Sequence, residues 1–106
     1  MIHVIATLSV TPGRRDELLA LFAELRPKVL AEDGCVEYGA AVDASTPFTS
    51  QGLQEPMRED VVMVVEKWEN LAALQAHLTA PHMDEFRKQA SDLLTGISLQ
   101  VLDPAS

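Results

Sequence analysis

Residues 61–82 read VVMVVEKWENLAALQAHLTAPH, and this stretch decides the fold. Val61, Val62, Met63, Val64 and Val65 include no polar position, so the strand they form has both faces covered and belongs in the middle of a sheet. Strand residues two apart point the same way, so Glu66 and Trp68 share the side of Val62 and Val64. Asn70 then caps a short helix that folds back over that side, with Leu71, Leu74 and Leu78 on its buried face. Ala80-Pro81 interrupts the helix, and His82 comes next. A wall of sheet and a lid of helix are encoded side by side, with two of the chain's histidines, His77 and His82, between them.

Upstream, residues 43–60 are rich in Ser, Thr, Pro, Gln and Gly, with few apolar anchors beyond Phe48, Leu53 and Met57. They form a loop longer than a hairpin needs, which suits a pocket lid or, equally, a surface excursion or dimer arm. Before it, residues 35–42 alternate as a strand, with Val36, Tyr38, Ala40 and Val42 on one face and Gly39 marking a bulge or a close backbone approach. Asp33-Gly34 ends the preceding helix. That helix buries Leu18, Phe22, Leu25 and Val29, starts near Thr11 or Pro12 with Asp16 and Glu17 in its first turns, and is expected to kink or break at Pro27. Residues 3–11 form the first strand, its core face including Val4, Ala6, Leu8 and Val10.

Downstream, a helix over residues 82–94 gathers Met83, Phe86, Ala90, Leu93 and Leu94 and ends at Thr95-Gly96. Ile97, Leu99 and Val101 alternate on a last strand. The order strand, helix, strand, strand, helix pair, strand is an α+β, ferredoxin-like split β-α-β fold with a four-stranded antiparallel sheet. Its helices cover one face. The other face, carrying Val61, Met63 and Val65, is an apolar patch that a second subunit would cover, sheet against sheet.

Composition limits what such a domain does. The 106 residues support a single domain spanning 1–106, and 47% apolar residues are enough for a core. A formal charge of -8 repels phosphate backbones and anionic lipid, so neither nucleic acid nor a membrane is an expected partner. No apolar run reaches membrane-spanning length and the amino terminus lacks a basic leader, so a cytoplasmic location is expected. Cys35 is the only cysteine, which excludes an internal disulfide.

The Thr11-Pro12-Gly13 turn, the run EDGCVEY at 32–38, Glu66-x-Trp68, Ala76-His77 and Pro81-His82 together resemble the antibiotic biosynthesis monooxygenase family. The resemblance covers nearly the whole chain apart from the 43–60 loop. It implies a homodimeric α/β barrel and oxidation of a small quinol or phenolic polyketide by molecular oxygen as co-substrate, without flavin, haem or metal. A base removes a phenolic proton, the anion passes an electron to oxygen, and a dry pocket protects the radical pair and the peroxide formed from it.

His77 is the first choice for the base, because imidazole exchanges protons near neutral pH. A histidine that only hydrogen-bonds the fold is the competing reading. Trp68 is expected to wall the substrate and donate its indole N–H, or simply to fill the core. Glu66 is expected to orient His77 or accept a substrate hydroxyl, the alternative being a partner Lys or Arg. Tyr38 and His82 are expected to contact substrate, their plainer roles being packing and helix capping. Val64 stands where polyketide-oxidising relatives carry a polar amide, and Phe86 falls near the iron-binding histidine of the haem-degrading branch, with Ala6 near its asparagine. Haem is thereby disfavoured, and Val64 and Phe86 leave an apolar substrate pocket. His3, His77 and His82 match no recognised metal spacing, and no metal ligand is expected. A non-catalytic dimeric barrel that binds a small apolar ligand is the alternative function.

Overall fold

The computed structural model describes residues 1–106 as β1 (Ile2–Val10), α1 (Arg15–Leu30), β2 (Cys35–Ala41), β3 (Val61–Trp68), α2 (Leu71–Leu78), α3 (Pro81–Ala90) and β4 (Leu94–Leu102). All strand pairs are antiparallel and the sheet order is β2-β3-β1-β4, which puts the all-apolar β3 and the regular β1 in the centre. This is the expected α+β, ferredoxin-like fold.

Strict alternation decides what is buried. On β1, Ile2, Val4, Ala6, Leu8 and Val10 face the helices, and on β3 Val62, Val64, Glu66 and Trp68 do the same. Against them α1 sets Leu18, Phe22, Leu25 and Val29, and α3 sets Met83, Phe86 and Ala90. No helix is long and apolar enough to cross a membrane.

Several local expectations change. α1 runs through Pro27 without a break. The carbonyl that Pro27 leaves without a donor belongs to Ala23, and both residues lie on the exposed side, open to solvent. The helix begins only at Arg15, because Arg14 N–H first closes a turn on the Thr11 carbonyl at 3.0 Å and Gly13, at φ +81°, donates to Asp60 Oδ1. The irregularity in β2 lies between Cys35 and Glu37, not at Gly39, around which a Cβ would meet nothing. α3 starts one residue early, with Pro81 at its first turn, and stops at Ala90, so Thr95 and Gly96 belong to β4. The helix gives way because Thr11 N–H and Oγ1 draw the Leu93 and Asp92 carbonyls to the end of β1.

On α2 the apolar periodicity is misleading. Leu71 and Leu78 are largely exposed and His77 lies beside Leu74 on the buried face. The cap is the expected one: Asn70 Oδ1 accepts Ala73 N–H at 2.9 Å.

Two apolar surfaces remain open. The outer face of the sheet centres on Ile5, Met63 and Val65. On the inner face, Ile97, Leu99 and Val101 pair with buried Leu8, Ala6 and Val4, yet are 61%, 46% and 38% exposed, since no helix reaches over this edge strand.

Candidate active site

Burial of a polar residue on β3 starts the site. Alternation that points Val64 inward also points Glu66 inward, where it is 4% exposed. No Lys or Arg meets it. Its partner is the indole of Trp68, whose Nε1–H donates to Glu66 Oε1 at 2.9 Å. Burial pushes the Glu66 carboxyl up to about 7; the indole bond pulls the other way and the nearby Glu32 charge adds to the rise. A carboxyl so placed exchanges its proton in the neutral range.

Behind it, His77 packs against Trp68 with ring centroids 4.7 Å apart and against Tyr38 at 5.4 Å. Its Nδ1 lies 2.9 Å from Glu32 Oε2, and the same oxygen lies 2.8 Å from His82 Nε2. Burial lowers the His77 pKa despite the Glu32 carboxylate, which favours the neutral ring. Glu32, not Glu66, therefore orients His77.

In front, a cavity of about 150 Å³ opens between the sheet and α3. Ala6, Leu8 and Val64 form its floor, Phe22, Tyr38 and Phe86 its sides, and Leu94, Ile97 and Leu99 its edge along β4. Glu66 and Arg87 are the charged groups on its wall. Tyr38 stacks on Phe22 at 5.2 Å, and burial raises its pKa, so the phenol stays protonated and is available as a donor. Arg87 is held by the Leu78 carbonyl and Asp84. The arrangement combines an apolar slot for one ring, a proton acceptor with a matched pKa, a phenol donor and a cation.

Of the residues singled out in the sequence, Glu66, Tyr38, Val64 and Phe86 converge on this cavity. His77 and Trp68 are buried behind it and do not border it, and His82 borders a separate small hollow between α1 and α3. Sequence reasoning assigns no site role to Glu32, which enters it only within the EDGCVEY run, or to Arg87. A larger hollow of about 760 Å³ runs along the loop between Asp43 and Arg58 and shares no lining residue with the cavity. Its charged pair is a surface clasp, Asp43 to Arg58 at 2.8 Å, which holds the Asp43 carboxyl at about 2.

Known proteins share both the sequence pattern and the fold. The family model described as antibiotic biosynthesis monooxygenase matches residues 1–89. The chain is 33% identical over 106 residues to the Escherichia coli protein described as "Probable quinol monooxygenase YgiN", covering 98% of each. Among solved structures it is similar to Rv0793 from Mycobacterium tuberculosis, with TM-score 0.77, 28% identity and coverage of 99% and 95% of the two chains. PA3566 from Pseudomonas aeruginosa shares the fold at TM-score 0.80, with 23% identity and coverage of 99% and 94%.

Proposed function

This chain belongs to the antibiotic biosynthesis monooxygenase family, and from that premise we propose that it oxidises a single-ring quinol or phenol with molecular oxygen, using no flavin, haem or metal. Family membership supports a monooxygenase-type function; the substrate and the roles of the residues are our reading. The observation that carries it is Glu66, a buried carboxyl titrating at about 7 on the wall of an apolar cavity. The volume suits one aromatic ring, since an apolar cavity of about 150 Å³ holds benzene.

Glu66 takes the phenolic proton, which its pKa allows at neutral pH. Arg87 balances the resulting anion and Tyr38 donates to an oxygen of the substrate or of reduced dioxygen. The substrate supplies all the electrons. A hydroquinone plus O2 gives a hydroxyquinone plus water: one oxygen atom bonds to ring carbon and the other leaves as water, and of the three hydrogens displaced, two from C–OH and one from C–H, two leave in that water and one ends on the new hydroxyl. The apolar walls keep bulk water from the radical and peroxide stages. His77 and Trp68 act by position, holding the carboxyl's surroundings dry.

A homodimer is part of this reading. The outer sheet face, with Ile5, Met63 and Val65, is the surface on which a second copy would pack.

The test is oxygen uptake by metal-free, flavin-free protein with a panel of single-ring hydroquinones and phenols, corrected for autoxidation. Saturable, protein-dependent uptake that falls at least tenfold in Glu66→Gln supports the reading. Uptake that ignores Glu66→Gln but collapses in a folded His77→Ala returns the base role to the histidine. No uptake above autoxidation favours the barrel that only binds a small apolar ligand.

A further inference from the structure

Three elements far apart in sequence bring their polar side chains to one point away from the cavity. Glu32 lies in the turn after α1, His77 on α2 and His82 in the first turn of α3. One carboxylate oxygen and two imidazole nitrogens all lie within 4.8 Å of one another. We propose that Glu32, His77 and His82 form a binding site for a divalent transition-metal cation, with zinc the best match.

The donor set is the first argument. Two imidazoles and one carboxylate are what zinc and its neighbours take in three-ligand sites, whereas calcium and magnesium require oxygen donors. Ligand atoms around a tetrahedral zinc stand roughly 3.3–3.5 Å apart, as bond lengths of about 2.0–2.2 Å dictate. Here the two nitrogens are 2.9 and 2.8 Å from the shared Glu32 oxygen. All three ligand atoms lie within 4.8 Å of one another, so a cation entering between them draws the two imidazoles together and moves both slightly away from the oxygen.

Protonation is the second argument. Each imidazole now directs an N–H at the same carboxylate oxygen. In a neutral imidazole that hydrogen can sit on the other ring nitrogen, which frees a lone pair on Nδ1 of His77 and on Nε2 of His82. No Lys or Arg pairs with Glu32, whose carboxylate oxygen meets only the two imidazoles. A divalent ion supplies what is missing.

Access is the third. His77 is buried and fixes one ligand, while His82 is 22% exposed and gives the cluster a route from solvent. None of the three residues borders the cavity. The cation therefore pins the turn after α1 to α2 and α3, and no step of the proposed oxidation runs through it. The two readings stand or fall separately.

The experiment titrates chelator-treated full-length protein with Zn2+ by calorimetry and with Co2+ by visible absorption, and monitors thermal unfolding with and without each ion. The expected result is one ion per chain, a tetrahedral cobalt spectrum and a raised melting temperature. Affinity should fall at least tenfold in His82→Ala and in Glu32→Gln, and stay within twofold of wild type in His3→Ala. His82→Ala alters a partly exposed side chain, so it keeps the test valid if Glu32→Gln does not fold. Absence of saturable binding, or a loss smaller than tenfold in His82→Ala, overturns the proposal.

Discussion

Glu66 Oε1 accepts the indole N–H of Trp68 at 2.9 Å, so the one acidic residue on the inner face of β3 is held by a neutral donor. A neutral donor cannot keep a buried carboxyl ionised as an arginine would. The carboxyl titrates at about 7 in place of 4.5. Below about pH 4.5 it is protonated both folded and unfolded. Between about 4.5 and 7 the unfolded chain has lost the proton and the folded chain retains it, so stability falls as pH rises, by on the order of 3 kcal/mol. Glu66→Gln cannot ionise and still offers the indole a carbonyl. Urea unfolding at pH 4.5 and pH 8 should show the variant gaining on wild type at the higher pH. An equal difference at both values would refute the raised pKa.

The same titration sets the activity profile. If Glu66 is the base, kcat/KM for a hydroquinone rises with pH through an apparent pKa near 7, and Glu66→Gln removes that limb and about 10²–10⁴-fold of the rate. A profile whose limb survives in Glu66→Gln would assign it to another group.

Much of this is legible in the sequence, and the reasons are local. β3 announces its central position because all of Val61 to Val65 is apolar, and the pairing of Glu66 and Trp68 on one face comes from a two-residue period. On α2 the leucines mimic a buried stripe: eight residues make barely two turns, so the phase of the helix is set by what it packs on, and that is Trp68 against His77. Glu32 cannot be found by period or spacing, since it meets His77 across 45 residues and His82 across 50. Arg87 looks like a dipole-complementing cation in the last turn of α3, which it also is.

Glu32→Ala should be costly for a surface-proximal residue. It removes the acceptor of both histidines, and His77 is only 2% exposed. A buried donor left unsatisfied costs about 1–3 kcal/mol, so the urea midpoint should drop accordingly. Glu32→Gln retains an acceptor and should recover part of the loss. A midpoint unchanged in Glu32→Ala would show that the cluster does not hold the helices.

Gly34 tests how tightly the turn after α1 is docked. Its φ is +81°, and a Cβ added there would stand 2.6 Å from the Ala73 side chain on α2. Its carbonyl also receives Glu69 N–H at 2.9 Å. Gly34→Ala thus combines backbone strain with a clash, and should destabilise by more than about 1 kcal/mol. Gly13→Ala shares the positive φ, at +81°, but meets no atom, so the difference between the two variants isolates the clash.

Met63 lies at the centre of the outer sheet face and pairs with Thr7 on β1 and Ala41 on β2, away from the cavity. If two sheets pack face to face about a twofold axis, a charge introduced at Met63 is brought close to its own copy and desolvated. Met63→Asp should then shift the chain from dimer to monomer in sedimentation equilibrium while its circular dichroism stays native. Ile97→Asp on β4 is the informative companion, because that strand's exposed edge belongs to the cavity mouth. Dissociation by Met63→Asp alone places the interface on the outer face. Dissociation by Ile97→Asp alone would move it to the β4 edge, where a second copy would close the cavity.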